Sequence, residues 1–567
     1  MRTLTALSLS PLAMLLALSS PAQLSGQCAV AKISENVSND IDEFGWRLAH
    51  DCGLLAVGEL GADLSGSVHL FDVGSLSPLG RWTERDEVTP SDGYAGQQFS
   101  SALALSGGTL VVGTPLDNEH GSGTGAVYVF ERDDAGTPGN PSDDSWVETA
   151  KIHPLDNPPF LFGTSVDIVG DTLVVGAPGS FTPFSAVYVF GRDDGGSATP
   201  LDDTWVQIAR LIPDGLSTSS NLGVSVSLSA DQALVLAGDP SETAAAGPTG
   251  AGVLFGRSDT GVLGDPLDDT WLPAGKLKVD GSVNPGTPVA QSVVLGADSA
   301  FVGAPFAGGD YGGRVYSFDR DDQGTADPFD DVFTYGQELS SGQGFIHAAF
   351  GETLALDGDR LAVPQRLWQF PPNKGTNIVV FERVAGVWNL EVIVEAPDPQ
   401  VVEGLGDSVA LAGSVLIGGA SGAEYIDDWS PADGAVYAWD LDRPAAWLSD
   451  SFFLGGDSPV LAAWGSLEAG SRFGVRNYDL FHSVNAWFVL GLNRIDLPFK
   501  DGILAPSADM LLGPVSSDTF GSVTLAGFWP ANVPPGTNFW VQSWDFSTSF
   551  PSSNDWRGSQ AIMGTTP

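Results

Sequence analysis

The chain has 567 residues, of which 71 are glycine and 38 proline, yet 43% are hydrophobic and 10% aromatic. This apolar content excludes a disordered chain, and the absence of a three-residue glycine period excludes a collagen-like one. The 70 acidic and 24 basic residues give a formal net charge of −46. We therefore expect no nucleic-acid partner, because phosphate recognition needs a basic surface. The acidity is typical of a protein that stays soluble outside a cell. The alternative interpretation is that the protein binds cations, including Ca²⁺.

The first residues show the pattern of a secretory signal peptide. Arg2 precedes an apolar run that ends near Leu18, and the small residues Ser20–Ala22 offer a cleavage site before Gln23. The run is too short to span a bilayer comfortably, and no later stretch approaches ~18 uninterrupted apolar residues. We therefore predict a signal peptide over residues 1–22, no membrane span, and a secreted or cell-surface protein.

The chain has two cysteines, Cys28 and Cys52, and both lie beyond the signal peptide. Exported proteins with two cysteines often pair them. The sequence favours a disulfide between Cys28 and Cys52, and two isolated buried thiols are the alternative.

A pattern of four short strands recurs seven times between residues 27 and 440. In its clearest copy a strand begins after Phe162–Gly163, turns at Gly170–Asp171, and returns to Gly176–Pro178. A third strand over Ala186–Phe190 is followed by a polar ribbon and a fourth strand over Trp205–Leu211. Such a unit cannot bury both faces alone, whereas stacked copies closed into a ring can. The sequence therefore predicts an all-β, seven-bladed β-propeller.

The Phe-Gly and Gly-Ala-Pro signature resembles the FG-GAP repeat of integrin α-chain propellers and their bacterial relatives. The resemblance implies an extracellular binding platform. It also implies that ligands dock on the face formed by the loops between strands two and three and between blades. Those loops carry Trp368, Phe370, Tyr425 and Trp429 here, which are aromatic anchors suited to a protein or a sugar ring. Alternatively, these side chains pack the loops against one another.

Integrin-type repeats carry a Ca²⁺ loop, Asp-x-Asn-x-Asp-Gly-x-x-Asp, between their first two strands, and this chain departs from that pattern. The matching positions hold Ser106–Gly108, Val169–Asp171, Ala230–Gln232 and Gly358–Asp359. A single carboxylate cannot supply the roughly six or more oxygens that Ca²⁺ needs. We therefore expect no metal site of the family's kind.

Four neighbouring copies share an acidic ribbon between their third and fourth strands, as from Arg132 to Asp144 and from Arg192 to Asp203. One interpretation is a chain of weak Ca²⁺ sites. The favoured interpretation is a solvated β-ribbon in which Asp caps turns and Arg pairs locally, because ligand spacing does not occur within one loop. We therefore expect no cofactor.

No catalytic motif occurs in the chain. The six histidines are scattered, and the chain has no His-Glu-x-x-His, Cys-x-x-Cys or Gly-x-Ser-x-Gly pattern. We therefore name no catalytic residue.

The seventh copy lacks a fourth strand, and the missing piece matches the start of the mature chain. The segment Cys28–Ile33 resembles the strand endings Ala150–Ile152 and Ala209–Leu211. We predict that residues 28–33 form the outermost strand of blade seven, because an open ring would expose a strand edge. A disordered N-terminus is the alternative.

These features predict the domain organisation. The propeller covers residues 23–440 and a linker covers 441–451. A small C-terminal β-sandwich-like module covers 452–567, with strands in the segments 471–480, 485–494, 522–529 and 538–546.

We expect a secreted, non-enzymatic binding or adhesion protein for an extracellular protein or polysaccharide. An exported hydrolase or lyase and a structural cell-envelope component are the alternatives, because a propeller fold does not decide function. Asp, Glu or His side chains that converge in the central channel would favour the enzyme.

Overall fold

The computed structural model describes residues 43–441 except 62–64, 73–82, 138–142, 156–159, 180–184, 198, 216–219, 243–249, 260–264, 280–286, 309–310, 342–348, 366–375, 396–401 and 424–433. It also describes residues 25–27, 31–33, 447–449, 460–465, 472–478, 485–499, 502–506, 510–516, 523–528, 533–534, 536–547, 555–558 and 562–565. These residues form an all-β protein, with two single-turn 3₁₀-helices at Pro200–Asp202 and Pro266–Asp268. Among them, no helix has the length and apolar character needed to cross a membrane.

The strands up to residue 440 form seven sheets, which we call blades 1 to 7 in chain order. The N-terminal strands and those of blades 1 to 3 are β1 (Ser25–Gln27), β2 (Ala31–Ile33), β3 (Arg47–Asp51), β4 (Leu54–Glu59), β5 (Ser67–Asp72), β6 (Thr83–Val88), β7 (Ala102–Ser106), β8 (Thr109–Thr114), β9 (Ala126–Asp133), β10 (Ser145–Ile152), β11 (Ser165–Val169), β12 (Thr172–Ala177), β13 (Ala186–Asp193) and β14 (Thr204–Leu211). Blades 4 to 7 continue with β15 (Val226–Leu228), β16 (Leu234–Asp239), β17 (Ala251–Ser258), β18 (Thr270–Leu277), β19 (Ser292–Leu295), β20 (Ser299–Ala304), β21 (Arg314–Asp321), β22 (Val332–Leu339), β23 (Ala355–Asp357), β24 (Arg360–Gln365), β25 (Asn377–Val384), β26 (Val387–Glu395), β27 (Val402–Ala412), β28 (Val415–Ala423) and β29 (Ala435–Asp440).

Each of blades 1 to 6 takes four consecutive strands, from β3–β6 in blade 1 to β23–β26 in blade 6, and the strands pair antiparallel. The first strand of every blade contacts the next blade, and β27 of blade 7 contacts β3 of blade 1. The sheets therefore close into a ring.

The hydrophobic core lies between blades rather than within them. Each apolar cluster joins two successive blades, as where Val175 and Phe190 of blade 3 meet Val129 of blade 2. Blades 7 and 1 share such a cluster, in which Ile417 packs with Phe44 and Leu55. Because each sheet buries its faces against its neighbours, the ring is the smallest unit with a complete core.

The signature glycines mark the closest approach between blades. A Cβ added at Gly176, at the end of β12, would overlap the carbonyl oxygen of Gly223 in the next blade. Gly223 itself has φ +89°, a conformation that favours glycine. Ser165 Oγ donates to the same carbonyl at 2.8 Å. The arrangement repeats at the ring closure, where Gly419 and Ser408 meet the carbonyl of Gly45.

The N-terminal segment completes blade 7. Strand β2 pairs antiparallel with β29 at the outer edge of this blade, with Ala31 opposite Ala438 and Ile33 opposite Val436. This is the position at which the repeat pattern places a fourth strand, and residues 28–30 lie outside the described residues. Strand β1, which the sequence does not predict, pairs parallel with β26 at the edge of blade 6.

Beyond blade 7 the described residues form further sheets. The order β30-β40-β38-β33-β36, with β39 beside β38, forms one; β31-β32-β37 and β34-β35 form two more. Strands β32, β33, β37 and β38 lie close to the four predicted segments, whereas the sandwich arrangement and the domain boundaries stay predictions. These strands are β30 (Trp447–Ser449), β31 (Val460–Gly465), β32 (Arg472–Tyr478), β33 (Asn485–Gly491), β34 (Arg494–Phe499), β35 (Gly502–Pro506), β36 (Met510–Ser516), β37 (Val523–Phe528), β38 (Asn538–Ser547), β39 (Asp555–Gly558) and β40 (Ile562–Thr565).

The glycine contact between blades can be tested by adding one methyl group. Gly176→Ala should destabilise the propeller by about 1–3 kcal/mol, because the new Cβ overlaps both Gly223 and Ser165 Oγ. Gly108→Ala is the matched control, since its Cβ would meet only Arg132 Cβ, at 3.5 Å. Thermal unfolding followed by circular dichroism compares the two, and equal melting temperatures would contradict this account of the contact.

The role of β2 can be tested by truncation. A chain that begins at residue 35 should melt many degrees below a chain that begins at residue 23, and it should aggregate more. The reason is that removal of β2 leaves the edge of β29 unpaired. Calorimetry and light scattering provide the measurements. A truncated protein as stable and monomeric as the longer one would refute this role.

Candidate functional site

The two ends of every blade carry different loops. The loops between the second and third strands and the connections between blades lie at one end, which we call the connection face. The first hairpin turn and the ribbon between the third and fourth strands lie at the other end, which we call the ribbon face. The orientation follows from the antiparallel order of the strands.

Charged side chains converge around Lys151 at the connection face of blade 2. Lys151 Nζ lies 2.6 Å from Asp92 Oδ2, 3.0 Å from Asp117 Oδ2 and 2.8 Å from Glu119 Oε2. Asp92 comes from the connection between blades 1 and 2. Asp117 and Glu119 come from the loop between β8 and β9, and Lys151 from β10. Three carboxylates thus surround one ammonium group, and we call these residues the Lys151 cluster.

Tyr128 of β9 forms the floor of this cluster. Lys151 Nζ lies 5.2 Å from the centre of the Tyr128 ring, and the Tyr128 hydroxyl donates to Asp92 Oδ1 at 2.6 Å. The same pair recurs in blade 3, where Arg210 lies over Tyr188. The Ala-Lys and Ala-Arg endings of the fourth strand therefore place a cation on the tyrosine of the third strand.

The hydrogen bonds fix the charges of the cluster. Burial alone would lower the pKa of Lys151, but the bonds to Asp92 and Glu119 raise it above its ordinary value. Burial alone would raise the pKa of Asp92, but bonds from Lys151 and Tyr128 lower it. The bond from Lys151 also lowers the pKa of Glu119. At neutral pH the site holds more negative than positive charge.

Two histidines extend the cluster towards solvent. The rings of His120 and His153 lie 4.1 Å apart, and His153 Nε2 lies 3.3 Å from Glu119 Oε2. His153 Nδ1 lies 3.2 Å from the carbonyl oxygen of Gly125 and donates to it. Burial lowers the pKa of His153, and the neighbouring His120 lowers it further. Glu119, His120 and His153 each offer a ligand atom, and these atoms lie within 4.8 Å of one another.

The family comparison agrees with the repeat pattern. The FG-GAP repeat model matches residues 82–130 and 146–190, which run from β6 through β13 and include the strands under the Lys151 cluster. This chain carries FG-GAP repeats. They fold into a β-propeller, as the sequence predicts. The search of curated proteins found no match.

Solved structures give only distant likenesses to this propeller. Sqt1 of Chaetomium thermophilum, bound to the N-terminus of a ribosomal protein, is 14% identical with a TM-score of 0.40, covering 74% of this chain and 88% of that one. The propeller domain of the Trilobed protease of Pyrococcus furiosus is 8% identical with a TM-score of 0.33, covering 66% and 90%. An ulvan lyase bound to its saccharide is 10% identical with a TM-score of 0.36, covering 72% and 96%. Likenesses this distant assign neither ligand nor activity.

Carboxylates of the first strands hold neighbouring blades together. Asp51 Oδ2 accepts from Gly107 N at 2.6 Å, and Asp167 Oδ2 accepts from Leu228 N at 2.7 Å. Asp357 Oδ2 accepts from the backbone of blade 7 in the same way. Each of these bonds joins one blade to the next, so these side chains have a structural role.

Arginines of the acidic ribbons of blades 2 to 5 pair with aspartates of their own hairpins and also reach the preceding blade, as Arg192 reaches Glu131 at 3.1 Å. Arg192 lies 3.0 Å from Asp203 and Arg320 lies 2.8 Å from Asp331. Other Asp side chains accept backbone bonds two residues ahead, as Asp134 does from Gly136. In blade 4, Asp259, Asp268 and Asp269 bring ligand atoms within 4.8 Å of one another, and Arg257 lies 3.5 Å from Asp269. Turn capping, local Arg pairing and ion pairs between neighbouring blades are thus the roles that the structure shows for these residues.

In blade 1 a serine, a histidine and a glutamate contact one another in the same order as the residues of a hydrolase triad. His69 Nε2 lies 3.1 Å from Ser67 Oγ, and His69 Nδ1 lies 2.8 Å from Glu84 Oε1. However, His69 Nε2 also lies 2.8 Å from Glu59 Oε2. Burial alone would lower the pKa of His69, but the bonds to Glu59 and Glu84 raise it to about 9. A histidine that is protonated at neutral pH cannot accept a proton from serine, so this contact is structural.

The candidate residues named from sequence lie outside the described residues, apart from Cys52. Trp368 and Phe370 fall between β24 and β25, and Tyr425 and Trp429 fall between β28 and β29. Their role as ligand anchors stays a prediction.

The disulfide likewise stays a prediction. Cys52 is exposed in the turn between β3 and β4, and Cys28 lies outside the described residues.

The sequence did not reveal the Lys151 cluster, because its members are spread from residue 92 to residue 151. One signal was available. Lys151 stands opposite Tyr128 in register, as Arg210 stands opposite Tyr188, and both pairs belong to the repeated pattern.

The protonated His69 makes stability depend on pH. Its pKa is about 9 in the folded protein against about 6.5 unfolded, so its contribution is complete below pH 6.5 and is lost as the pH rises to about 9. The loss should be on the order of 2–4 kcal/mol. Melting temperatures from pH 6 to 9.5 should fall more steeply for the native protein than for His69→Gln, which cannot titrate. Parallel curves of melting temperature against pH for the two proteins would contradict the protonated state of His69.

Proposed function

We propose that this FG-GAP propeller is an exported, non-enzymatic binding protein that docks an extracellular protein on its connection face. The observation that carries the proposal is the Lys151 cluster, in which side chains from three chain segments converge on that face. Rigid strands that present variable loops are the usual way in which binding residues are positioned. Export rests on the signal-peptide pattern of residues 1–22.

Exposed apolar side chains support this choice of face. Leu155, two residues after His153, is 84% exposed, and Tyr94, whose hydroxyl donates to the Leu116 carbonyl, is 37% exposed. Large apolar side chains in water are favourable anchors when a partner covers them. Others on this face are Phe160, Ile212, Phe306 and Tyr311.

The charge of the cluster indicates the chemistry of the partner. Three carboxylates surround one ammonium, so basic side chains would complete the charge balance. The −46 formal charge of the chain would speed the approach of a basic partner and repel an acidic polysaccharide. We therefore favour a protein with a basic segment over a polysaccharide.

The enzyme and envelope alternatives have less support. Propellers host enzymes, but His69 holds a proton at neutral pH and the inner carboxylates Asp51, Asp167 and Asp357 bond to neighbouring blades. A structural envelope role rests only on the C-terminal module.

An array of secreted proteins and glycans, probed with residues 23–567, tests the proposal. We expect a basic protein ligand whose affinity falls roughly tenfold or more in Leu155→Ala and in Tyr94→Ala, because each removes an exposed anchor. Leu272→Ala is the matched control, since Leu272 is 52% exposed on the outer strand β18. Trp368→Ala with Trp429→Ala tests whether the loops of blades 6 and 7 share the surface.

The affinity for this ligand should also fall as salt rises, because the attraction is between opposite charges. Equal losses in the Leu155 and Leu272 variants, or binding confined to glycans, would contradict the proposed protein-binding face.

A further inference from the structure

We propose that Glu119, His120 and His153 form a zinc site at the connection face of blade 2. This inference does not depend on the proposed function, because the three side chains are arranged for a metal whether or not a partner binds beside them. Two imidazoles and one carboxylate are a donor set that Zn²⁺ takes in proteins when one position is left open.

The backbone supplies the three ligands from two neighbouring segments. Glu119 and His120 lie in the loop between β8 and β9, and His153 follows directly after β10. Residue 152 pairs with residue 127 at the start of β9, so the chain returns beside this loop. The ligand atoms lie within 4.8 Å of one another, so they need to move together by at most about 1.5 Å to reach the ligand spacing of tetrahedral zinc. The exposed side chains of Glu119 and His120 can make this movement by changing rotamer.

His153 is oriented as metal-binding histidines are. Its Nδ1 donates to the carbonyl oxygen of Gly125 at 3.2 Å, which leaves Nε2 with its lone pair directed outwards. Metal-ligating histidines almost always use the second ring nitrogen in this way. Nε2 also lies 3.3 Å from Glu119 Oε2, so the imidazole and the carboxylate that would hold the metal are already side by side.

The surrounding charge also favours a cation. Glu119 Oε2 accepts from Lys151, but Lys151 is shared with Asp92 and Asp117, so the ammonium is already outnumbered by carboxylates. The second oxygen of Glu119 takes part in neither the Lys151 nor the His153 contact. It is therefore placed to bind the metal while Oε2 keeps its bond to Lys151.

The metal would keep an open position towards solvent. Glu119 and His120 are exposed, and three protein ligands leave the fourth position of a tetrahedral zinc for water or for a donor group of another molecule. The carboxylate group of blade 4 offers no imidazole, and Arg257 lies against it. That group therefore serves as the comparison site.

Calorimetric titration of ZnCl₂ into tag-free protein, residues 23–567, tests the site. We expect one zinc per chain. His120→Ala and Glu119→Gln should each weaken binding by at least roughly tenfold. Asp259→Asn, in the carboxylate group of blade 4, should leave zinc affinity unchanged. Co²⁺ should give the visible absorption of a tetrahedral nitrogen and oxygen site, and the His120→Ala variant should lose it.

Circular dichroism and metal-free melting temperature show whether each variant is folded, and the exposed His120 should be replaceable without loss of stability. Absence of stoichiometric zinc binding by the native chain overturns the proposal. So does binding that survives both the His120 and Glu119 substitutions in folded protein. A loss confined to Asp259→Asn would place the metal in blade 4 and equally overturn it.

Discussion

The ring depends on one steric constraint, which is the contact between a glycine at the end of the second strand and a backbone carbonyl of the next blade. Gly176 approaches Gly223 so closely that no side chain fits between them, and Gly419 approaches Gly45 in the same way where the ring closes. The apolar clusters that join successive blades need this approach, because their side chains interlock only at short range between sheets. The serine bonds from Ser165 and Ser408 to the same carbonyls fix the distance further.

A ring built in this way separates the scaffold from the surface. Packing between blades restricts which residues fit in the strands and at the glycine positions, whereas the loops at the connection face can carry different residues in each blade. In blade 2 the repeated Tyr128–Lys151 pair became the base of a polar cluster, because the neighbouring loops supply Asp92, Asp117 and Glu119. In blade 1 the tyrosine is replaced by His69, which a carboxylate pair holds protonated.

Many of the basic residues that the structure describes are engaged within the fold. Arginines of the ribbons pair with aspartates of the same hairpin, as Arg192 does with Asp203, and Arg360 pairs with Glu391 in blade 6. The 70 acidic residues outnumber the 24 basic ones, so such pairing leaves a large excess of negative charge. The surface field is therefore negative, which bears on solubility and on the charge of a partner rather than on the fold.

The sequence by itself determined the all-β class, the repeated blade and the strand that completes the seventh blade. These follow from local patterns, since strand alternation, glycine turns and the Ala-Lys ending are written in consecutive residues. The ribbon residues could also be interpreted locally, because Asp134 caps its turn within two residues and Arg192 meets Asp203 across one hairpin.

Only the tertiary structure decided which distant side chains meet. Asp92 and His153 are 61 positions apart, and their proximity depends on how blade 1 leads into blade 2 and where β10 ends. The protonation of His69 likewise depends on Glu59 and Glu84, which lie on the strands at either side of it. Strand pairing and the course of the loops bring such residues together, and no pattern of consecutive residues encodes the distance between two loops.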